Sequence, residues 1–353
     1  MLLPAVFVAF FYRRFNVKKV INDPNNIVDE MVSGLTLAYP GYVKRVPISE
    51  AGQAIVARST PKVGKVALIS GGGSGHEPSH AGFVGEGMLD AAVCGAVFTS
   101  PSPEPVFEAI KAVKTDKGVL MVIKNYTGDV MNFEMAGEMA EAEGIKVGKV
   151  IVNDDVAVMN STWTVGRRGI AGTVLIHKIA GAAAEAGLDL AAVQKIGERV
   201  IANVRSMGIA LTPCTVPAAG KPGFELGSDE IEIGLGIHGE PGVTKGKIKS
   251  ANELTEHILV DYILKDNPIQ SGEEVVVLVN GLGATPLMEQ FIVTHKVYDL
   301  LTKKGIKIYS TNVGNYMTAI EMAGFSVSVL KLDAELKKFY DAKANTVAWR
   351  TFG

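Results

Sequence analysis

The 353 residues include 35 basic and 37 acidic side chains, a formal net charge of -2, so neither a nucleic-acid surface nor a strongly charged partner is signalled. With 47% hydrophobic and 20% charged residues the composition is that of an ordinary globular protein, and the length allows about two domains, each with a full core. Cys94 and Cys214 lie far apart in apolar segments without metal-ligand spacing, which fits a reducing, cytoplasmic compartment.

The chain begins MLLPAVFVAFFYRRFNVKK, a mostly apolar run followed by basic residues. The run is shorter than the ~20 residues that span a bilayer. A signal peptide would carry its positive charge before the apolar stretch, whereas Arg13 and Arg14 follow it. It therefore reads as an extension without function, not as a membrane anchor.

Residues 27 to 39 have helical spacing, 65 to 70 form a short buried strand, and 103 to 113 form a helix with prolines in its first turn. A strand at 118 to 124, an amphipathic helix over 131 to 144 ending at Gly144, and a strand at 147 to 152 follow. This alternation predicts an α/β fold whose first domain is a mostly parallel sheet with helices on both faces. RRGIAGTVLIHKIAGAAAEAG and LDLAAVQKIGERVIANVRSMG then predict two helices broken at Gly187. Beyond them GIALTPC, IEIGLGIH, EEVVVLVNGLG, IKIYS and SVSVLKL read as strands, with helices over 250 to 265 and 285 to 304. The expected organisation is two domains, 17 to 200 and 201 to 353, the second an α/β domain with a mixed sheet.

The stretch SGGGSGHEPSH (70 to 80) admits three chemistries. A phosphate loop needs G-x-x-x-x-G-K-[ST], and no Lys-Ser/Thr pair follows here. A zinc site of the form H-E-x-x-H would use His76, Glu77 and His80 on one continuous helix, which Pro78 and the preceding glycines oppose. What remains is a histidine acting as acid, base or nucleophile. His177, His257 and His295 sit on predicted helices and read as ordinary structural or surface residues. His76 and His238 instead sit in glycine-dense turns after predicted strands, GHEP and HGEP, where the backbone can approach a ligand closely. The turn KNYTGD adds Lys124, Thr127 and Asp129 at the end of another strand, the position where ligands collect in open α/β sheets. Asp129 is equally suited to cap the helix that follows it.

The combination of GGGSGHEP, FTSPSPE, IKNYTGD, NDDVAV, GRRGIAGT, CTVPAAGKP, GIHGEPG and NGLGATP resembles the dihydroxyacetone-binding K subunit of dihydroxyacetone kinases, from about residue 18 to the C-terminus. That family commonly begins with two lysines and an I-N-D stretch, KKVIND here. Residues 1 to 16 fall outside the pattern, and Val17 stands where the initiator would be. The resemblance implies that His238 adds to the ketone carbonyl and holds the substrate as a hemiaminal. It implies that Asp129 takes the proton of the attacking hydroxyl, that His76 assists as acid/base, and that Gly73, Ser74, Gly75 and Lys124 contact the substrate. It further implies a cytoplasmic homodimer without a metal or nucleotide of its own. ADP or ATP and magnesium are expected on a partner L subunit, recharged by a phosphotransferase-system M subunit. The rival is a paralogue that senses dihydroxyacetone and acts on a transcription factor; retention of His76 and Asp129 favours the kinase.

Overall fold

The structure, a computed structural model, describes residues 18–158, 165–240 and 242–352. The extension at residues 1 to 16 and the initiator position Val17 lie outside the described residues.

Helix α1 (Ile27–Ala38) buries Val28 and Val32. It precedes strands β1 (Val43–Val46), β2 (Ala54–Arg58), β3 (Ala67–Ser74), the short β4 (Gly85–Glu86) and β5 (Ala91–Val97). Helix α2 (Pro103–Val113), β6 (Val119–Lys124), helix α3 (Thr127–Ala142) and β7 (Val147–Val152) complete the first half. Six of these strands form one sheet in the order β1-β2-β5-β3-β6-β7. It is parallel from β5 to β7 and antiparallel at the β1-β2-β5 edge. Side chains alternate across it, as strand geometry requires. Ile69 and Met121 share a core with Phe107, Ile110 and Phe133 of α2 and α3. Leu68 and Leu120 face the other way, onto Val174, Ile179, Val193 and Val200. Those four belong to α4 (Thr173–Glu185) and α5 (Leu190–Asn203). With both faces covered, every residue of β3 and β6 is buried, which is why these strands read as unbroken apolar or small-residue runs.

The second sheet contains β8 (Val204–Ala210), β9 (Glu230–Ile233), β10 (Thr244–Lys247), β11 (Glu274–Gly281), β12 (Lys307–Gly314) and β13 (Gly324–Leu332). Its order is β10-β9-β8-β13-β11-β12, with only β11 and β12 parallel. Helix α6 (Ala251–Glu256) passes through a π-helical segment, His257–Ile263, into α7 (Leu264–Asp266). With α8 (Leu287–Lys303) it covers one face through Leu254, Ile258, Val293 and Val297. The chain then turns back to the first half. Helix α9 (Ala334–Asp341) packs on α4, where the buried Lys178 ammonium donates to the carbonyls of Phe339 and Ala342. Strand β14 (Ala344–Thr346) pairs with β4 and with β15 (Arg350–Thr351).

The α/β architecture, a mostly parallel sheet followed by a mixed one, matches the expectation, and α4 and α5 part at Gly187, whose φ is +87°. Several details differ. Strand β3 runs through the glycines to Ser74, where a turn was expected, and residues 204 to 208 are strand, not the end of a helix. Only 231–233 of IEIGLGIH are in strand β9, so His238 stands on an irregular segment. Helix α3 starts at Thr127, ahead of Asp129. Among the described residues no helix is long and apolar enough to cross a membrane.

Asp90, just before β5, ties the first sheet together. One carboxylate oxygen accepts from Arg58 at the end of β2, and the other accepts from Lys65 and from the Leu68 amide of β3. Lys65 is 2% exposed, so Asp90→Ala leaves a buried ammonium without its anion. The expected loss is about 3–5 kcal/mol of unfolding free energy, read from urea denaturation; a midpoint unchanged from wild type contradicts this.

Candidate active site

The three glycines of β3 make room for the protein's own groups. A Cβ on Gly72 would lie 2.3 Å from Lys124 Nζ and 3.5 Å from Asp129 Oδ2, and one on Gly73 would lie 2.5 Å from the Thr99 amide nitrogen. Lys124, the last residue of β6, is wholly buried. Its ammonium donates to the Gly71 carbonyl at 3.1 Å and to Asp129 Oδ2 at 3.0 Å. Asp129 is the third residue of α3, where the helix dipole favours a carboxylate. The N-cap position belongs to Tyr126, with no side-chain cap bond, so the capping alternative for Asp129 does not hold. Asp129 is 1% exposed, and its Oδ1 has no hydrogen-bond partner.

His76 follows β3 by two residues and reaches across to the segment before β13. Its Nδ1 lies 2.8 Å from the Thr318 carbonyl. A carbonyl only accepts, so Nδ1 carries the proton, and Nε2, buried and unpartnered, presents a bare lone pair. The ring stacks on Phe98 at 5.1 Å between centroids and meets the edge of His238 at 4.8 Å. His238 also packs edge-on against Tyr126 at 4.4 Å and Phe98 at 5.6 Å. Burial, followed by the Lys124 ammonium and Arg168, lowers the His238 pKa to about 3. Burial, then His238 and Lys124, hold His76 well below its ordinary value as well. Both rings are therefore neutral near pH 7.

A cleft of about 470 Å³ opens beside His238, lined also by Phe98, Ser100, Tyr126, Thr127 and Glu240. A larger cavity of about 550 Å³ lies over β1, β2 and the end of α2, but none of the unpartnered buried polar atoms belongs to its lining. The unpaired acceptor His76 Nε2, on a ring that meets the uncharged His238 imidazole, and the unpaired Asp129 Oδ1 suit a small ligand bearing hydroxyls and an electrophilic carbon.

His76, Lys124, Asp129 and His238 thus converge from both halves of the chain. Their neighbours are more committed. The Ser74 hydroxyl donates to the Gly95 carbonyl, the Gly75 amide donates to the Glu77 carboxylate, and Gly73 abuts the 98–99 backbone. His80 turns to a different partner from His76: its Nδ1 lies 3.0 Å from His177 Nε2, deep in the core. His257 pairs with Asp261 at the surface and His295 is exposed on α8. Pattern reading passed over Phe98, Tyr126, Arg168 and Glu240. The available signal was an aromatic residue inside the otherwise polar turn KNYTGD, and a second arginine in GRRG.

The Dak1 domain family matches residues 33–348. The chain is 53% identical to the dihydroxyacetone-binding subunit DhaK of the PTS-dependent dihydroxyacetone kinase 1 of Listeria innocua, over 94% of this chain and 100% of that subunit. It is similar to the crystal structure of the dihydroxyacetone kinase of C. freundii, with a TM-score of 0.87 and 36% identity. That match covers 95% of this chain and 60% of the kinase. The dihydroxyacetone kinase operon co-activator Dha-DhaQ matches with a TM-score of 0.83 and 33% identity, over 92% of this chain and 99% of the co-activator.

The histidines set a pH dependence of stability. His177 and His238 drop from 6.5 to about 3 on folding, chiefly by burial, and His76 and His80 shift the same way. Below pH 6.5 the unfolded chain binds protons on these histidines that the folded chain refuses, so their contribution to stability falls on acidification between 6.5 and about 3, against a smaller opposite contribution from the buried Asp155 carboxyl, pushed up to about 6. Each such group contributes about 1.4 kcal/mol per pH unit. Urea midpoints should drop from about pH 7 to about pH 5, and a flat profile would contradict the neutral-histidine account.

Proposed function

The chain belongs to the Dak1 family of dihydroxyacetone kinases and their relatives, and from that premise we propose that it is the dihydroxyacetone-binding subunit of a multi-subunit kinase. It holds the ketone covalently on His238 while a terminal hydroxyl accepts a phosphoryl group. The observation that carries this reading is the buried, unpartnered acceptor His76 Nε2, on a ring that meets the neutral His238, together with the unpartnered Asp129 Oδ1, whose carboxylate acts electrostatically on His76.

Dihydroxyacetone is so small that contacts alone supply little affinity or orientation. A nitrogen of His238 adds to the carbonyl carbon, the carbonyl oxygen gains a proton and the ring loses one, giving a neutral hemiaminal. This bond also selects chemically. Glycerol offers the same hydroxyls without an electrophile, and shape alone rejects such a near-isostere weakly. Asp129 Oδ1 then takes the proton of the terminal hydroxyl as its oxygen bonds to phosphorus and the bond to the nucleotide diphosphate breaks. Lys124 orients Asp129 through Oδ2 and leaves Oδ1 to work. His76 Nε2 accepts from a substrate hydroxyl and relays protons at the adduct. Collapse of the hemiaminal releases dihydroxyacetone phosphate.

The donor is placed on a separate L subunit carrying ADP or ATP and magnesium, in line with the PTS-dependent name of the Listeria relative. An M subunit recharges it, and this chain works as a cytoplasmic homodimer. A second reading, a dihydroxyacetone-responsive co-regulator, draws on the similarity to the operon co-activator. The fold does not separate the two, but a sensor has no need of Asp129 Oδ1 as a base.

Asp129→Asn should lower kcat by roughly two to four orders of magnitude, the usual worth of a general base, with substrate still bound. His238→Ala should raise KM and erode discrimination against glycerol. In an assay coupled to L and M subunits the wild-type chain should form product; with ATP and magnesium but no partner it should not. Absence of product in the coupled assay favours the co-regulator, and turnover by the chain alone contradicts the placement of the donor.

A further inference from the structure

We propose that Arg168 is the positioning residue for His238: its guanidinium clamps both ends of segment 234–240 and so sets where the imidazole stands. This rests on the assignment of the ketone-bonding role to His238.

The two arginines of GRRG part company. Arg167 pairs with Asp266 at 19% side-chain exposure, whereas Arg168 is 2% exposed. A buried guanidinium is tolerated only when its donors are answered, and each answer here has a structural consequence. Nε donates to Asp155 Oδ2 at 2.7 Å, and Nη2 stands 2.6 Å from the same oxygen as its ion-pair contact. Nη2 also donates to the Gly234 carbonyl at 2.7 Å, where the segment leaves β9. Nη1 lies 3.5 Å from Glu240 Oε1, at the far end of the same segment. The second Glu240 oxygen, Oε2, accepts the His238 amide at 2.8 Å. Inside this loop a Cβ on Gly236 would lie 1.6 Å from Glu240 Oε1 and 3.0 Å from Arg168 Nη1, so the backbone closes directly on the charged pair.

The anchor at the other end belongs to the first half of the chain. Asp155 follows β7, its amide donates to the Arg168 carbonyl, and it forms a backbone bridge with Ser206 of β8. The guanidinium therefore fixes the His238 segment against the half that supplies His76, Lys124 and Asp129. Such a link needs a planar fork able to serve three acceptors at once, which lysine cannot reproduce. The same charge adds to burial and Lys124 in keeping the imidazole unprotonated, so position and reactivity are set together.

The test compares two ligands by NMR titration of the full chain: dihydroxyacetone, which bonds to the imidazole, and glycerol, which offers the hydroxyls alone. Arg168→Lys should weaken dihydroxyacetone binding by about tenfold or more, the scale of coupling expected between groups in one network, and leave glycerol binding unchanged. Glu240→Ala, which breaks the far end of the clamp but spares the Arg168–Asp155 pair, should act in the same direction and serves if Arg168→Lys does not fold. Unchanged dihydroxyacetone binding, equal weakening for both ligands, or unfolding of both variants would overturn the proposal. His238→Ala is the control: if it binds dihydroxyacetone like wild type, the covalent reading itself fails, a result distinct from failure of the clamp.

Discussion

Lys124 places an ammonium group where its side chain has no exposure, and the Asp129 carboxylate 3.0 Å away answers that charge. Removing two ions from water costs several kcal/mol each unless geometry and further hydrogen bonds compensate. Here the Gly71 carbonyl takes a second ammonium proton. The cost shapes what surrounds the pair. Position 72 has no space for a side chain, because a Cβ would collide with the ammonium. The charge also contributes to the lowered pKa of His76, His80, His177 and His238. One buried cation thus orients a carboxylate, demands a glycine at position 72 and helps keep the His238 imidazole neutral.

The site lies where the two sheets meet. The first half supplies a rigid floor, β3 and β6, and the first turn of α3, which set His76, Lys124 and Asp129 on or next to regular elements. The second half supplies His238 on an irregular segment, and Thr318, whose carbonyl sets the His76 tautomer. Rings hold what hydrogen bonds do not: Phe98 and Tyr126 pack His238 into an orientation relative to His76. For the three-carbon substrate proposed above this division makes sense: a ketone that small offers little surface for recognition, so a site for it would rely on fixed reacting groups more than on an extensive pocket.

Much of this was legible in the sequence, because the physics that creates it is local. Buried parallel strands read as apolar runs, and the polar turns at their ends stand out against them; that contrast singled out His76, Lys124 and Asp129. The short strands β2 and β5 were passed over, although AIVAR and AAVCGAV are apolar, because alanine and glycine blur a strand signal into neighbouring turns. The return of α9 and β14 to the first half depends on contacts between residues far apart in the chain, such as Lys178 with the carbonyls of Phe339 and Ala342. The capping alternative for Asp129 failed for a related reason: a helix start three residues earlier turned a would-be cap into the partner of Lys124. The glycines suggested a floor for ligand, yet they accommodate Lys124 and the 98–99 backbone, which no spacing rule reveals. Glu240 had no local signature and Arg168 only the doubled arginine of GRRG, since their meaning lies in closing the segment that carries His238.

The central claim is that a neutral His238 bonds to the carbonyl carbon. Carbon NMR of the wild-type chain with dihydroxyacetone labelled at its carbonyl tests it most directly. The account predicts a protein-bound signal in the range of a tetrahedral carbon, absent with His238→Ala. A bound signal that stays in the ketone range would contradict it.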